Sequence, residues 1–194
     1  MHNSALVLAS TSAFKQKQLA QLDVTFHVFN PEVVEDHNQP EAEALAIDLA
    51  DQKAVAAARV FPDSLVIGSD QTAITEKGVF LTKPLTQDQA IEQLSACQNQ
   101  KACFYSAICL IKKADNFIKK WAVTTEVKFR QLTQDEIVRY IKKDDPLHCA
   151  GSFKIEALGI SLFDSVQSND PSALIGLPLI SLSRELRSAG LLIP

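Results

Sequence analysis

Short apolar runs and segments of helical periodicity alternate along the first part of the chain. The unbroken apolar run ALVLA at 5–9 predicts a buried strand, and the alternating VTFHVF at 24–29 predicts a second strand. Between them, residues 12–22 place apolar side chains at a helical spacing. Pro40 suits the first position of a long helix that we expect to reach about Val60, because the amide hydrogen that proline lacks would be unpaired there.

The rest of the chain continues this alternation and adds one long hairpin. The acidic segment 31–39 is expected to be a loop. Thr86 followed by Gln89 predicts a capping box at the start of one helix, and Thr133 with Glu136 predicts a second. The elements expected after the long helix are, in chain order, a strand at 64–70 that runs into a turn, a hairpin at 73–82, a helix at 87–97, two long strands within 101–130, a helix at about 134–143, a strand near 159–164 and a helix near 181–189.

Strands that alternate with helices are typical of an α/β fold, and the long hairpin makes the expected sheet mixed rather than purely parallel. The chain has 194 residues, 46 % of them apolar, which is enough for one sizeable core. No internal repeat, low-complexity tract or linker divides the sequence. We therefore expect a single domain over residues 1–194, built as two lobes.

Charge and cysteine content exclude several classes of protein. The formal net charge of −4 argues against a protein that binds nucleic acid or an anionic membrane through its overall charge. The N-terminus has neither the basic residues nor the long apolar run of a secretory signal, and no stretch has the length of a membrane span. The four cysteines form no CxxC pair, so we expect reduced thiols in a cytoplasmic protein.

The stretch LASTSAFKQKQL at 8–19 joins the end of the first strand to the first helix. The amide groups at a helix N-terminus favour anions, Ser10 and Ser12 add hydroxyl donors, and Lys15 and Lys17 add positive charge. The stretch could therefore hold phosphate. From this stretch alone the simpler interpretation is favoured, in which Ser12 caps the helix and the lysines are solvated.

An aspartate and two isolated lysines are further candidates. Asp70 follows an apolar strand, where ligands of open α/β sheets tend to bind, so its carboxylate could hold a divalent metal or accept a proton from water. An Asx-turn is an equally good explanation of Asp70. Lys53 and Lys83, each taken alone, are typical of surface lysines.

The segment HCAGSFKIE at 148–156 places Lys154 and Glu156 after a Gly-Ser turn. Together with the lysines and Asp70, this mixture of charges suits a polyphosphate bound with a hard metal ion. His148 beside Cys149 could indicate a thiol nucleophile, but neighbours in sequence rarely form such a pair.

Common nucleotide and acyl-enzyme motifs are missing from the sequence. There is neither GxGxxG nor GxxxxGK[ST], and the chain holds only six glycines. The residues from Ser12 to Lys15 match SxxK, but a penicillin-recognising enzyme would also need KTG and export.

Taken in order, six segments resemble the motifs of the Maf family of nucleoside triphosphate pyrophosphatases. They cover nearly the whole chain, and their order makes the resemblance specific. The segments are LASTSAFKQ at 8–16, LADQKA at 49–54, GSDQ at 68–71, KPLTQDQA at 83–90, AGSF at 150–153 and GLPL at 176–179.

The segments PLHCAGSFKIEALGISLF and GSDQ resemble the branch of the family that acts on 7-methyl-GTP. Phe14, an aromatic residue at the first arginine position of the opening motif, also fits that branch, because a methylated guanine is cationic and an aromatic face attracts cations. The opening motif departs from the family at Ala13, Lys15 and Gln16. Lysine keeps the positive charge of arginine but loses its bidentate grip on phosphate.

The resemblance implies a mixed, twisted central sheet flanked by helices, with two lobes around a deep cleft. It implies hydrolysis of the α–β phosphoanhydride with Mg²⁺ or Mn²⁺ as the divalent metal, and it is compatible with a homodimer. By resemblance, the triphosphate would be bound by Ser10, Lys15, Lys53 and Lys83. Water would be activated by Asp70, and the metal would be held by Asp70 and Glu35. The base would be selected by Phe14, Gln71 and Lys154. Two alternatives stay open, a dTTP or UTP pyrophosphatase of the same fold and a non-enzymatic nucleotide-binding regulator of cell division.

Overall fold

A mixed sheet runs through the protein and carries helices on both faces. A computed structural model describes residues 5–33 and 39–194, and within these ranges the sheet has six strands. The strands are β1 (Leu6–Ala9), β2 (Phe26–Val28), β3 (Leu65–Thr75), β4 (Lys101–Lys112), β5 (Phe117–Phe129) and β6 (Phe163–Ser168). The helices are α1 (Ala13–Ala20), α2 (Ala42–Val60), α3 (Gln87–Cys97), α4 (Gln134–Asp144) and α5 (Leu179–Ser188).

The strand order is β2-β1-β3-β4-β5-β6, and the direction of pairing changes in the middle of the sheet. β1 pairs in parallel with both β2 and β3, whereas the other neighbours are antiparallel. The expected mixed α/β sheet is therefore confirmed. The parallel ladder between β1 and β3 ends where Ala9 faces Gly68, although β3 itself continues to Thr75.

The prediction that the third strand ends in a turn at Asp70 was wrong. Residues 69–75 stay extended because they pair with β4, from Ser69 opposite Ile108 to Thr75 opposite Ala102. The polar composition of this stretch suggests a turn, but cross-strand hydrogen bonds to a distant segment decide its conformation. Asp70 consequently lies inside a strand, just beyond the end of the parallel ladder.

The core divides into two lobes that share the long antiparallel strands. In the first lobe, β1 and the first half of β3 are covered by α2 on one face and by α1 and α5 on the other. In the second lobe, the last part of β3, the first part of β4 and the last part of β5 pack against α3 and α4, with Phe104 and Phe129 at the centre. The region of Asp70 and Gln71 lies where one lobe gives way to the other.

Helix caps follow the sequence closely, with one correction. Thr133 and Glu136 form the expected capping box of α4, and the Thr86 hydroxyl accepts a hydrogen bond from the Gln89 amide at the start of α3. Pro40, however, is not the first residue of α2, which begins at Ala42 with the residue before it as its N-cap. The first helical hydrogen bond joins the Leu45 amide to the carbonyl of residue 41, so proline precedes the helix.

The C-terminal strand also begins later than expected. Residues 158–162 form a 3₁₀ turn, and β6 starts at Phe163, where pairing with β5 begins. All four cysteines are free thiols. None of the helices in the described part of the chain has the length and apolar character that a bilayer crossing requires.

Candidate functional site

A cleft of about 760 Å³ opens at the junction of the two lobes. Its volume is within the range of pockets that bind small molecules. Eight of the nine residues implied by the family resemblance line this one cleft, namely Ser10, Phe14, Lys15, Lys53, Asp70, Gln71, Lys83 and Lys154. The ninth, Glu35, lies outside the described residues.

Asp70 and Lys53 form an ion pair in the cleft. The Lys53 ammonium donates to Oδ1 of Asp70, and both side chains are 14 % exposed. Lys53 comes from α2 and Asp70 from β3, so helix and strand together build the pair. This mostly buried ion pair lies at the end of the parallel ladder, where ligands of open α/β sheets bind, so either partner can instead bind a charged ligand.

Gly68 explains how α2 comes close enough to β3 to form this pair. A Cβ atom on Gly68 would lie 2.1 Å from the Ala50 carbonyl oxygen and 2.6 Å from the Ala54 amide nitrogen. The face of α2 toward the sheet consists largely of alanines, including these two, which are fully buried. The helix backbone therefore rests directly on the strand, and Lys53 is carried to Asp70.

The start of α1 places hydroxyl groups and a lysine beside this pair. The Ser10 hydroxyl accepts from the Ser12 amide at 3.3 Å, and the Ser12 hydroxyl accepts from the Lys15 amide at 3.5 Å. The Lys15 ammonium donates to the carbonyl of Ser69 at 3.0 Å, next to Asp70. Ser12 is thus the N-cap of α1, as the simpler interpretation predicts. Lys15 lines the cleft, whereas Lys17 is exposed and does not.

The GLPL segment supports Lys15 from behind. A Cβ atom on Gly176 would lie 3.2 Å from Cε of Lys15, which is a tight contact, and Gly176 has φ of +144°, a conformation that residues with a side chain rarely adopt. The buried side chain of Gln18 accepts from the Leu177 amide at 2.9 Å and donates to the Leu177 carbonyl at 3.2 Å. Sequence reasoning did not identify Gln18, because nothing near it in the chain indicates that it contacts a segment about 160 residues away.

Gln71 is held with its amide nitrogen toward the protein. Its Nε2 donates to the Ser106 hydroxyl at 2.9 Å and to the carbonyls of Ala173 and Leu174 at 3.1 and 3.2 Å. These bonds use the donor capacity of the amide group. The carbonyl oxygen of Gln71 is therefore the atom through which this side chain can recognise a ligand in the cleft.

The segment 148–156 forms the opposite wall and carries charges of both signs. The Lys154 ammonium donates to the carbonyl of Asp144 at the end of α4, and its backbone amide donates to the Tyr140 hydroxyl at 3.1 Å. Glu156, which the sequence did not assign to base selection, is exposed and lines the same wall. Burial raises the pKa of the Cys149 thiol, which favours the neutral thiol and argues against a thiolate nucleophile.

Lys83 completes the set of cleft lysines from a third direction. It follows Thr82 in the segment that connects β3 to α3, and its side chain is exposed along the cleft. Lysines from α1, α2 and this connection thus line the cleft that also contains Asp70. Such an arrangement provides positive charge for a polyanion and a carboxylate for proton transfer or metal binding.

The carboxylates of the cleft suit a metal ion that is coordinated mainly by phosphate oxygens and water rather than by protein side chains. No group of three or more His, Cys, Asp or Glu side chains in the described ranges is arranged as a metal cage. Mg²⁺ is usually bound through one or two carboxylates together with phosphate oxygens and water. Asp70 can supply one such carboxylate beside the lysines.

Comparison with known families finds one match that covers nearly the whole chain. The sequence model of one protein family, described as Maf-like protein, matches residues 5–189. That range contains all eight cleft residues and excludes only the two ends of the chain.

Similar curated proteins cover the chain from end to end. A 7-methyl-GTP pyrophosphatase of Aromatoleum aromaticum is 45 % identical over 100 % of both chains. The 7-methyl-GTP pyrophosphatase of Saccharophagus degradans is 44 % identical over 94 % of this chain and 92 % of its own. That of Xanthomonas campestris pv. campestris is 46 % identical over 97 % and 98 %.

A solved structure shares the architecture. The Staphylococcus aureus Ham1 protein superposes with a TM-score of 0.55 at 17 % identity, covering 95 % of this chain and 100 % of its own. At this identity the likeness concerns the fold, which agrees with the expected sheet and cleft.

Proposed function

This chain belongs to the Maf family, and on that premise we propose that it is a pyrophosphatase that converts 7-methyl-GTP to 7-methyl-GMP and pyrophosphate. Its physiological role would be to remove modified nucleotides from the pool. The observation that carries the proposal is the Lys53–Asp70 pair, which stands beside Lys15 in a cleft of nucleotide size. Relatives of this name at 44–46 % identity support the choice of substrate.

The triphosphate is bound at the end of the cleft where α1 begins. Lys15, Lys53 and Lys83 neutralise its charge, and the Ser10 hydroxyl donates to a phosphate oxygen. Three lysines on three separate elements can surround a chain of phosphates, which a single helix N-terminus could not do.

Binding of the triphosphate exchanges the partner of Lys53. In the structure the Lys53 ammonium is bonded to Oδ1 of Asp70. A polyanion attracts this ammonium more strongly than one carboxylate does, because it carries more negative charge. Lys53 then turns to the phosphate, and the Asp70 oxygen becomes available to accept a hydrogen bond from water.

Asp70 orients this water and takes its proton during attack on the α-phosphorus. A bond forms between the water oxygen and the α-phosphorus, and the bond from that phosphorus to the bridging oxygen breaks. Pyrophosphate leaves with the electron pair of the broken bond. The cleft lysines stabilise the charge that develops on the leaving group.

A divalent cation would be held by Asp70 together with phosphate oxygens of the substrate. When bound, it supplies further charge neutralisation of the triphosphate. Mg²⁺ and Mn²⁺ suit such oxygen ligands.

The methylated base binds between Phe14 and the wall at 148–156. The ring of 7-methylguanine is cationic, so it is attracted by the face of Phe14 and by the carboxylate of Glu156. The Gln71 carbonyl oxygen accepts a hydrogen bond from the donor edge of guanine. Lys154 shapes the wall through its bond to the end of α4.

The test is the release of pyrophosphate and orthophosphate from 7-methyl-GTP, GTP, dTTP and UTP with Mg²⁺, for the wild type, Asp70→Asn and the control Asp63→Asn. Asp63 is exposed and outside the cleft lining. We expect pyrophosphate chiefly from 7-methyl-GTP, and a loss of at least about 10²-fold in Asp70→Asn alone.

Other outcomes of this test contradict separate parts of the proposal. Turnover centred on dTTP or UTP would overturn the substrate and favour the other branch of the family. Tight nucleotide binding without turnover would favour a binding regulator. Full activity in Asp70→Asn would remove Asp70 from the chemistry.

A further inference from the structure

Two loops that carry cleft residues meet at one side chain outside the predicted site. Gln93 on α3 accepts from the Thr82 amide at 3.1 Å through its oxygen and donates to the Thr82 carbonyl at 3.1 Å through its nitrogen. The same nitrogen donates to the Ser152 hydroxyl at 2.6 Å. One amide group therefore holds the backbone of one loop and the side chain of the other.

The residues held by Gln93 precede those that face the ligand. Thr82 is followed directly by Lys83, one of the lysines we assign to the triphosphate. Ser152 lies two residues before Lys154 and four before Glu156, in the wall we assign to the base. A shift of either attachment point would therefore move a ligand-facing side chain.

The loop of Lys83 borders a second cavity as well as the cleft. The lining of this second cavity, of about 720 Å³, shares Leu81, Thr82, Lys83 and Leu85 with the lining of the cleft. Gln93 also lines this second cavity, and from there it bonds the backbone of Thr82. Beside Gln93, the Gly151 amide also bonds the Thr82 carbonyl, at 3.3 Å.

The other loop is held in a conformation that requires support. Ser152 is fully buried and has φ of +60°, which is uncommon for a residue with a side chain, and Gly151 before it has φ of +76°. Its hydroxyl accepts a hydrogen bond from Gln93, which satisfies this buried polar atom.

We propose that Gln93 is a positioning residue that couples the Lys83 loop to the base-facing wall, so that the phosphate and base contacts are set together. This inference rests on the proposed function for its kinetic consequences but not for its structural ones. Gln93 itself does not line the cleft.

The kinetic test compares Gln93→Met with Gln89→Met, the same substitution on the same helix at an exposed side chain outside the cleft. We expect kcat/KM for 7-methyl-GTP to fall roughly tenfold or more in Gln93→Met, since small displacements of ligand-facing groups are costly, and to stay at the wild-type value in Gln89→Met. In the background of Lys83→Ala, the additional loss from Gln93→Met should shrink to about threefold or less. Equal activity of the two methionine variants, or an undiminished loss in the Lys83→Ala background, would overturn the proposal.

A second readout does not depend on turnover. Amide hydrogen exchange in 81–86 and in 149–156 should accelerate together in Gln93→Met and in neither segment in Gln89→Met. Acceleration in one segment alone, or in none, would show that Gln93 does not couple them. If the wild type hydrolysed no nucleotide while both segments responded, the proposed function would fail and the coupling would stand.

Discussion

Replacing Gly68 by alanine should separate α2 from the strand that carries Asp70. The added Cβ atom would lie 2.1 Å from the Ala50 carbonyl oxygen and within 2.7 Å of two atoms of Ala54. Because these neighbours are helix backbone and a short side chain, no rotamer change can relieve the contact. The helix must retreat by about 1.3 Å or more to restore an ordinary van der Waals distance.

This displacement should affect stability and activity at once. Overpacking of this kind costs about 2 kcal/mol, and for a chain of this size that lowers the thermal midpoint by roughly 4–8 °C. The same movement carries Lys53 away from Asp70, and a misplacement of this size in a catalytic group can cost about 10²-fold in kcat/KM. We therefore expect a folded but nearly inactive protein.

The assay is thermal unfolding followed by pyrophosphate release from 7-methyl-GTP at a temperature well below both midpoints. Gly78→Ala is the matched control, because a Cβ atom there meets no other atom within 4 Å, although its φ of +79° adds backbone strain of about 1 kcal/mol. The control should lose a little stability and keep its activity. A Gly68→Ala protein with the stability and activity of the control would refute the argument that glycine sets the approach of α2.

Two further predictions concern the base-facing wall and the start of α4. In Glu156→Gln, the ratio of kcat/KM for 7-methyl-GTP to kcat/KM for GTP should fall about tenfold, because the amide keeps the shape of the carboxylate but not its charge. An unchanged ratio would exclude Glu156 from recognition of the cationic ring. Hydrogen bonds from Thr133, and then Arg130, lower the pKa of Glu136 from 4.5 to about 2. Because the pKa is lower in the folded than in the unfolded state, the Glu136 carboxylate stabilises the fold above pH 4.5, and this stabilisation is lost as the pH falls toward 2. The difference in urea midpoint between wild type and Glu136→Gln should therefore be largest at pH 6 and decrease below pH 4.5. A difference that does not change with pH would show that the carboxylate charge has no part in the cap.

Features that depend on a few neighbouring residues could be predicted from the sequence. The strand predicted within 5–9, the capping Thr133 and the long hairpin of β4 and β5 were all correct, because hydrogen bonds and side-chain spacing within a few residues decide them. The ordered motifs also identified eight residues that converge on one cleft. Their roles there stay predictions.

Features that depend on distant contacts could not be predicted. β3 continues past Asp70 only because β4 pairs with it, and Lys154 turns toward Asp144 only because α4 ends beside it. Neither Gln18 nor Gln93 differs locally from any polar helical residue, yet each holds a loop far away in the chain.

The sequence by itself therefore determined the fold class, the capped starts of α3 and α4 and the chemical types of the residues that line the cleft. Only the tertiary structure decided which of them meet, as when Gly68 lets α2 rest on β3 and brings Lys53 to Asp70. The physical reason is the range of the interactions. Capping and periodicity act over one or two turns of backbone, whereas the cleft is built by packing between segments that the chain separates by up to 160 residues.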